Sequence, residues 1–564
     1  MNPLILRGIR ERLRGKHLIA AGLFSLILCS TIYLSAYLEG AEGEWVHDPE
    51  KIDSETQGWH RTESSPIKGA RQAFTYLLAL QGFFLMFLGT GRVAAITAEE
   101  KESGLMDYQR MTPMNPFSKI LGYLFGLPAR EYYMFVITLP FLLHCMIMGE
   151  LSPENVLHLY FVFFSSVVLY HLTAHVIGLV VPKPRAASWV SRIVVLGLYI
   201  FLPAFGQAGI SFLSFLTILP TYFGKMLPEL ISLENSDYGH YRWENEMIDF
   251  WVDVPFFTTE IAPSLFTLIM QGLILAALLI TAYRKWRNES LPAFSKTSGI
   301  IIFAVFQFLL LGCLWPFFSE GQASGLLGET FSLENNSMNR GEGILALLFV
   351  QSVFFGLSLL GILTLVNTCC PNQHLHLKGT QRAKRLGLSS IPLSADESRG
   401  TWFVLVLSAM VWAVHAILLD QAEESGLFFV QAIIDGLTVS IQIEYWAYLL
   451  PAILLTASAL YLQAARELWF SLGFWGFVGL LWITPLLACL VIAVGTSGEQ
   501  VEVLGILSAI CPIFAIPHIL SSEYTTDLPE RITEVFRQAT WSGIGVSCFL
   551  AGFLSLKLYR KPQK

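Results

Sequence analysis

Charge is what this sequence has least of. Charged residues fill 14% of its 564 positions, against roughly 25% in soluble domains. Hydrophobic residues take up 54%, in long runs, and the mean hydropathy is +0.56. That excludes an ordinary soluble chain and predicts an all-α polytopic membrane protein whose surroundings are the lipid bilayer. Net charge is −7, with no extended basic run, which argues against a nucleic-acid partner.

Catalytic signatures are missing too. A phosphate-cradling loop needs glycine amides around the phosphates and a lysine reaching them. The Gly-Lys pairs Gly15-Lys16 and Gly224-Lys225 fit no such pattern. Gly89-Thr90-Gly91 follows an apolar helix rather than a strand, so it is no dinucleotide loop. There is no H-E-x-x-H and no G-x-S-x-G. The chain is therefore read as a non-enzyme with no catalytic residues, cofactor or metal. None of the eight cysteines lies in a long polar loop, which excludes a disulfide framework. Cys369 and Cys370 are adjacent at the end of an apolar segment and read as small helix-end residues.

What is present is a series of apolar segments. Residues 1–17 set Leu4, Ile5, Ile9 and Leu13 against five basic residues, the pattern of a short interfacial helix. The run from Leu18 to Leu38 is longer than a signal-peptide core and reads as the first span. Further spans are expected at about 72–96, 130–149, 156–181, 187–206 and 261–283. The series continues at about 298–318, 343–368, 401–419, 446–465, 469–494 and 538–558. Residues 209–223 and 503–520 are apolar, short and proline-broken, and each precedes the last span of its half. They read as re-entrant or interfacial pieces. The order repeats, giving about twelve spans in two six-span halves, 1–295 and 296–564. Most of the 36 lysines and arginines fall on the side of the N-terminus. The positive-inside rule then places both termini in the cytoplasm.

Polar residues inside spans are few. His171 and His175 share a helix face at i, i+4, and His144, His415 and Gln81 stand alone. All five are expected to hydrogen-bond between helices rather than bind metal. No acidic residue falls clearly in mid-span. Asp435 and Glu444 come nearest, and residues 427–443 read as interfacial.

One polar interval carries more specified chemistry than a connector needs: Thr97 to Pro128. Glu99, Glu100 and Glu102 bracket Lys101, and Gly104 breaks the helix. Leu105, Met106, Tyr108, Met111 and Met114 form an adaptable apolar surface; Thr112-Pro113 and Asn115-Pro116 then turn the chain back. An amphipathic helix of this kind buries its apolar side in its own bundle, in headgroups, or in a groove on a soluble partner.

Glu100-Lys101-Glu102-Ser103-Gly104 followed by Thr112-Pro113 resembles the coupling region of ABC-2 type ABC-transporter permeases. The basic N-terminal helix and the six-span half also resemble that family. The resemblance implies a plasma-membrane permease subunit, exporting a substrate, that docks a separate ABC ATPase subunit through this loop. The expected coupling residues are Glu99, Glu100, Glu102, Gly104, Leu105, Tyr108, Met111, Thr112 and Pro113. Leu105 stands where the family often has Thr. The second-half loop around Gly379-Thr380-Gln381-Arg382 is basic and lacks the acidic pattern. One strong and one weak docking site are therefore expected, in a homodimer or in a pseudo-dimer of the fused halves. The alternatives are an ion-coupled secondary carrier, which needs a buried titratable mid-span group, and a membrane-embedded lipid or glycan transferase. A transferase would use outer-loop acids such as Asp237, Glu244, Glu246, Asp249 and Asp253.

Overall fold

The computed structural model describes residues 2–42, 45–47, 59–61, 64–207, 215–231, 254–289, 291–320, 340–425, 432–434, 437–439, 445–469, 471–495, 501–524 and 530–560. Among them, eleven helices are long and apolar enough to cross a membrane. The chain is an all-α, multi-pass membrane protein. It divides into two compact units: residues 1–254 with 260–289, and residues 255–259 with 290–564.

The first unit begins with α1 (Pro3–Arg12), α2 (Gly15–Ala41) and α3 (Pro66–Glu102). It continues with α4 (Leu105–Met111), α5 (Pro116–Gly126), α6 (Ala129–Met148), α7 (Pro153–Val180) and α8 (Pro184–Gln207). A short helical run, Leu219–Thr221, Tyr222–Met226 and Leu227–Leu230, precedes α9 (Pro263–Arg287). The fifth expected span falls on α8, which is not among the eleven. Of the expected broken segment 209–223, residues 209–214 lie outside the described residues.

The starts of α1 and α5 are written in the sequence as Asn-Pro. Asn2 accepts from Leu4 N at 3.0 Å, and Asn115 accepts from Phe117 N at 3.0 Å. Each proline then sits at the first helical position, where its missing N–H costs nothing. At about 1.5 Å per residue, α3 is roughly 55 Å long, well beyond a 30 Å hydrocarbon core. Part of α3 must therefore lie beyond the hydrocarbon, and the charged end carrying Glu99 to Glu102 suits that position. Within it, Phe83–Gly89 is π-helical. The core joins α2, α3, α6 and α7 through residues such as Phe74, Leu77, Phe84, Leu159 and Phe163.

The second unit contains α10 (Lys296–Glu320), α11 (Arg340–Cys369), α12 (Gln373–Arg385), α13 (Thr401–Ser425) and α14 (Tyr445–Leu468). Next come α15 (Leu472–Ile492), α16 (Val501–Ser508), α17 (Pro512–Tyr524) and α18 (Glu530–Arg560). The expected broken segment 503–520 is two short helices, with Pro512 opening the second. In the interval read as interfacial, Ala432–Ile434 pairs antiparallel with Leu437–Val439; Asp435 and Glu444 lie outside the described residues.

Candidate functional site

Gly104 separates α3 from α4 with φ of 75°. A side chain there meets no neighbouring atom, so the backbone conformation alone calls for glycine. After this turn α4 offers its two faces to different surroundings. Tyr108 is 66% and Met111 78% exposed, and Glu99, Glu102, Asp107 and Pro113 are exposed around them. Met106 and Gln109 are buried, and Leu105 is half-buried at the edge of a cleft. Thr112 ends α4, its hydroxyl donating to Gln109 O at 2.7 Å.

Glu100, expected among the coupling residues with Glu99 and Glu102, is set apart from those two by burial. It is only 7% exposed, and its carboxylate is satisfied within the unit. Tyr123 O–H donates to Glu100 Oε2, Gln109 Nε2 donates to the same oxygen at 3.3 Å, and Arg7 Nη2 lies 3.2 Å from Oε1. A buried carboxylate without such partners would be costly, and here three other helices, α1, α4 and α5, each supply one. Burial and the neighbouring carboxylate together push the Tyr123 phenol well above its ordinary range, so it stays a neutral donor.

The network continues into the spans. The Tyr123 ring packs 4.9 Å from His175 and 5.3 Å from Trp286. Trp286 Nε1 donates to His175 Nε2 at 2.8 Å. An indole can only donate, so His175 Nε2 accepts and its Nδ1–H faces Thr97 Oγ1 at 3.1 Å. One turn earlier, His171 Nε2 donates to Leu85 O at 3.0 Å, inside the π-helical stretch. Gly89 leaves room for that imidazole: a Cβ there would sit 2.7 Å from Nε2. The expected interhelical role of both histidines is thus what the geometry displays.

A second set of contacts clasps α4 to the end of α9. Glu289 pairs with Lys101 at 2.9 Å and with Arg110 at 3.2 Å. The hydrogen bond from Lys101, then that from Arg110, holds the Glu289 carboxyl below its ordinary value. Arg110 Nη2 also donates to Lys285 O at 3.2 Å. Lys119 is buried and donates to the carbonyls of Gln109 (2.7 Å) and Thr112 (3.3 Å), capping the C-terminal end of α4. Burial pushes its ammonium pKa down.

The amphipathic α1 lies against α5. Asn2 Nδ2 donates to Ser118 O at 2.5 Å. Gly8 meets the backbone of Gly126, and Gly126 meets the backbone of Ile5. Between α1, the end of α3, α4 and α5 lies a cleft of about 280 Å³ edged by Arg7, Glu11, Arg12, Glu99 and Leu105.

The sequence reading missed Arg7, Gln109, Lys119, Tyr123, Trp286 and Glu289 as members of this site. Their one shared signal is polarity beside an apolar helix end; nothing in spacing ties positions so far apart.

The counterpart in the second unit is built differently. Gly379 is helical within α12, where a Cβ would collide with Glu397; the left-handed glycine is Gly387, at φ of 71°. Lys296, fully buried, donates to Ala395 O, Asp396 O, Ser398 O and Ser398 Oγ at 2.7–3.3 Å. Glu467 accepts from Gly400 N at 2.7 Å and from Gln463 at 2.6 Å.

His144 contacts Tyr33 O–H at 2.8 Å, His415 contacts Ala447 O at 3.1 Å, and Gln81 donates to Thr138 at 2.8 Å. All eight cysteines are free, and no cluster of metal-ligating groups occurs among the described residues. Asp237, Glu244, Glu246, Asp249 and Asp253 lie outside the described residues. No family model, curated protein or solved structure matches the chain.

Proposed function

We propose that the chain is the membrane permease subunit of an ATP-driven transporter of the ABC-2 type, working with a separate ATPase subunit. In this reading twelve spans form two six-span halves, each with a short broken segment before its last span. Both termini and the Thr97–Pro128 interval face the cytoplasm of the plasma membrane, an orientation that the distribution of lysine and arginine supports. The direction of transport is export, as in the resembling family.

The observation that carries this reading is the two-sided character of α4. Its outer face exposes Tyr108 and Met111 beside Asp107, and Glu99 and Glu102 are exposed at the adjoining end of α3. Its inner face is tied by Gln109, Arg110 and Lys119 to α3, α5 and α9. An apolar pair in an acidic surround suits a partner groove with a basic rim. Exposed ion pairs contribute about 0–1 kcal/mol each, so burial of Tyr108 and Met111 dominates the docking. A partner that moves α4 then acts on membrane-crossing helices directly.

The carrier alternative is less well supported. Among the described residues, the buried carboxylates Glu100, Glu131 and Glu467 each stand at the end of a span, not in mid-bilayer.

The test is co-purification with a co-expressed ABC ATPase subunit from the same genome, comparing the wild type with a Tyr108→Asp/Met111→Asp variant. The expected result is loss of the complex, with membrane insertion and monodispersity unchanged. Retention of the complex by this variant, or transport that continues without ATP, overturns the proposal.

A further inference from the structure

The basic helix α12 and the interval that follows it have no part in the function above, yet with α13 and the end of α18 they line a cavity of about 570 Å³ in the second unit. Its walls include Lys384, Ser389, Arg399, Trp402, Leu405 and Tyr559, and no carboxylate lines it. Two of the residues that line it carry a buried N–H without a hydrogen-bond partner among the described residues: Arg399 Nη1 and Trp402 Nε1. Buried donors are almost always satisfied, so two on neighbouring wall residues point to an absent acceptor that a small side-chain movement would admit. The Arg399 guanidinium lies 4.2 Å over the Tyr559 ring, which fixes its plane. Two acids near Arg399 in sequence or in space have other partners, although Glu467 also feels the Arg399 charge. Glu397 pairs with Arg382 at 3.8 Å, and Glu467 is held by Gly400 N and Gln463.

The level of the cavity is set by the spans. Thr401 opens α13, and Tyr559 is one residue from the end of α18. Both are membrane-crossing helices. The cavity therefore lies where hydrocarbon gives way to headgroups, the depth at which Trp and Tyr concentrate. Leu405 is exposed on the first turns of α13, beside the cavity.

We propose that this cavity binds a phosphate group, with Arg399 and Trp402 as buried donors and Lys384 as the charge at its mouth. Arginine suits phosphate because its planar fork matches two oxygens at once. The volume exceeds what a bare phosphate fills and accommodates a glycerophosphate headgroup. The phosphate comes either from an anionic phospholipid or from a soluble ester; the chemistry of recognition is the same.

The experiment uses the delipidated full-length chain and native mass spectrometry, titrating phosphatidylglycerol, diacylglycerol with the same chains, and glycerol 3-phosphate. The proposal expects phosphatidylglycerol to be retained over diacylglycerol. An Arg399→Ala/Lys384→Ala variant should lose about tenfold in that retention, the equivalent of one charge-assisted hydrogen bond. Trp402→Phe keeps an aromatic side chain while removing the N–H donor and part of the ring volume, so it carries the test should the double variant fold poorly. Competition by glycerol 3-phosphate assigns the site to the headgroup or a soluble ester; its absence, with lipid retained, assigns it to lipid. Equal retention of diacylglycerol, or variants that bind phosphatidylglycerol as the wild type does, overturns the proposal.

Discussion

Trp286 donates its indole N–H to His175 across 2.8 Å, and that bond joins the end of α9 to the middle of the polar network under α4. With the Tyr123 ring tilted against His175 and edge-on to Trp286, three helices share one contact. Replacing Trp286 by Phe leaves His175 Nε2 without its donor. The expected cost is roughly 1–3 kcal/mol for an unsatisfied buried group. Thermal unfolding in detergent should show it as a lower midpoint. In the reconstituted pair, ATP hydrolysis should persist while transport per ATP falls.

Glu100 tests whether the acidic stretch acts inward or outward. Glu100→Gln keeps an acceptor for Tyr123 and should lower the unfolding midpoint only slightly. Glu100→Ala removes the acceptor that Tyr123 and Gln109 share, leaving only their mutual bond (Tyr123 O–H to Gln109 Oε1, 2.9 Å) and an unsatisfied Gln109 Nε2 in a buried place, at roughly 1–3 kcal/mol. Glu99→Ala, on the exposed side, should leave stability unchanged. Equal midpoints for Glu99→Ala and Glu100→Ala would contradict the burial pattern.

The Glu289 clasp makes a pH prediction. Its folded value lies below the ordinary 4.5 because Lys101 and Arg110 favour the charged form. A depressed carboxyl contributes stability above its unfolded value and loses it as pH falls through the folded value. The attachment of α4 should therefore loosen only when pH drops below about 4.5. Glu289 is half-exposed, so the effect is small and is screened by salt. Hydrogen exchange over residues 105–111, corrected for intrinsic rates, should show the loss. Glu289→Gln should remove its pH dependence.

Gly8 is the contact point of α1 on α5. A Cβ there would fall within the backbone of Gly126, so Gly8→Leu must lift α1 away. Trypsin cleavage at Arg10 and Arg12 should accelerate several-fold. Gly15→Ala, where a Cβ meets nothing, is the matched control and should change little.

Gly104→Ala places a side chain at φ of 75° in open space, so its cost is purely conformational, roughly 1–2 kcal/mol. The expected readout is a lowered unfolding midpoint together with weaker ATPase association. Gly387→Ala in the second unit should cost a similar amount of stability and leave association intact.

The sequence by itself determined what depends on neighbours along the chain. Membrane class follows from apolar run length, because hydrocarbon accepts few charges. Helix starts at Asn2-Pro3 and Asn115-Pro116 follow from capping, and the break at Gly104 follows from a conformation that other residues resist. These are energies of one or two residues, so one sequence suffices to read them.

Only the tertiary structure decided which side of Thr97–Pro128 is surface. Successive helical residues differ by about 100° in direction, so Glu99 and Glu100 look alike in sequence and opposite in space. What buries Glu100 is Arg7, ninety-three positions earlier, with Tyr123 and Gln109 later; what locks α4 is Glu289. The same holds for Arg399 and Trp402, whose partnerless donors become a site only when Tyr559 and α12 close round them. Burial and charge pairing are set by segments distant in sequence, and no local pattern encodes which segments will meet.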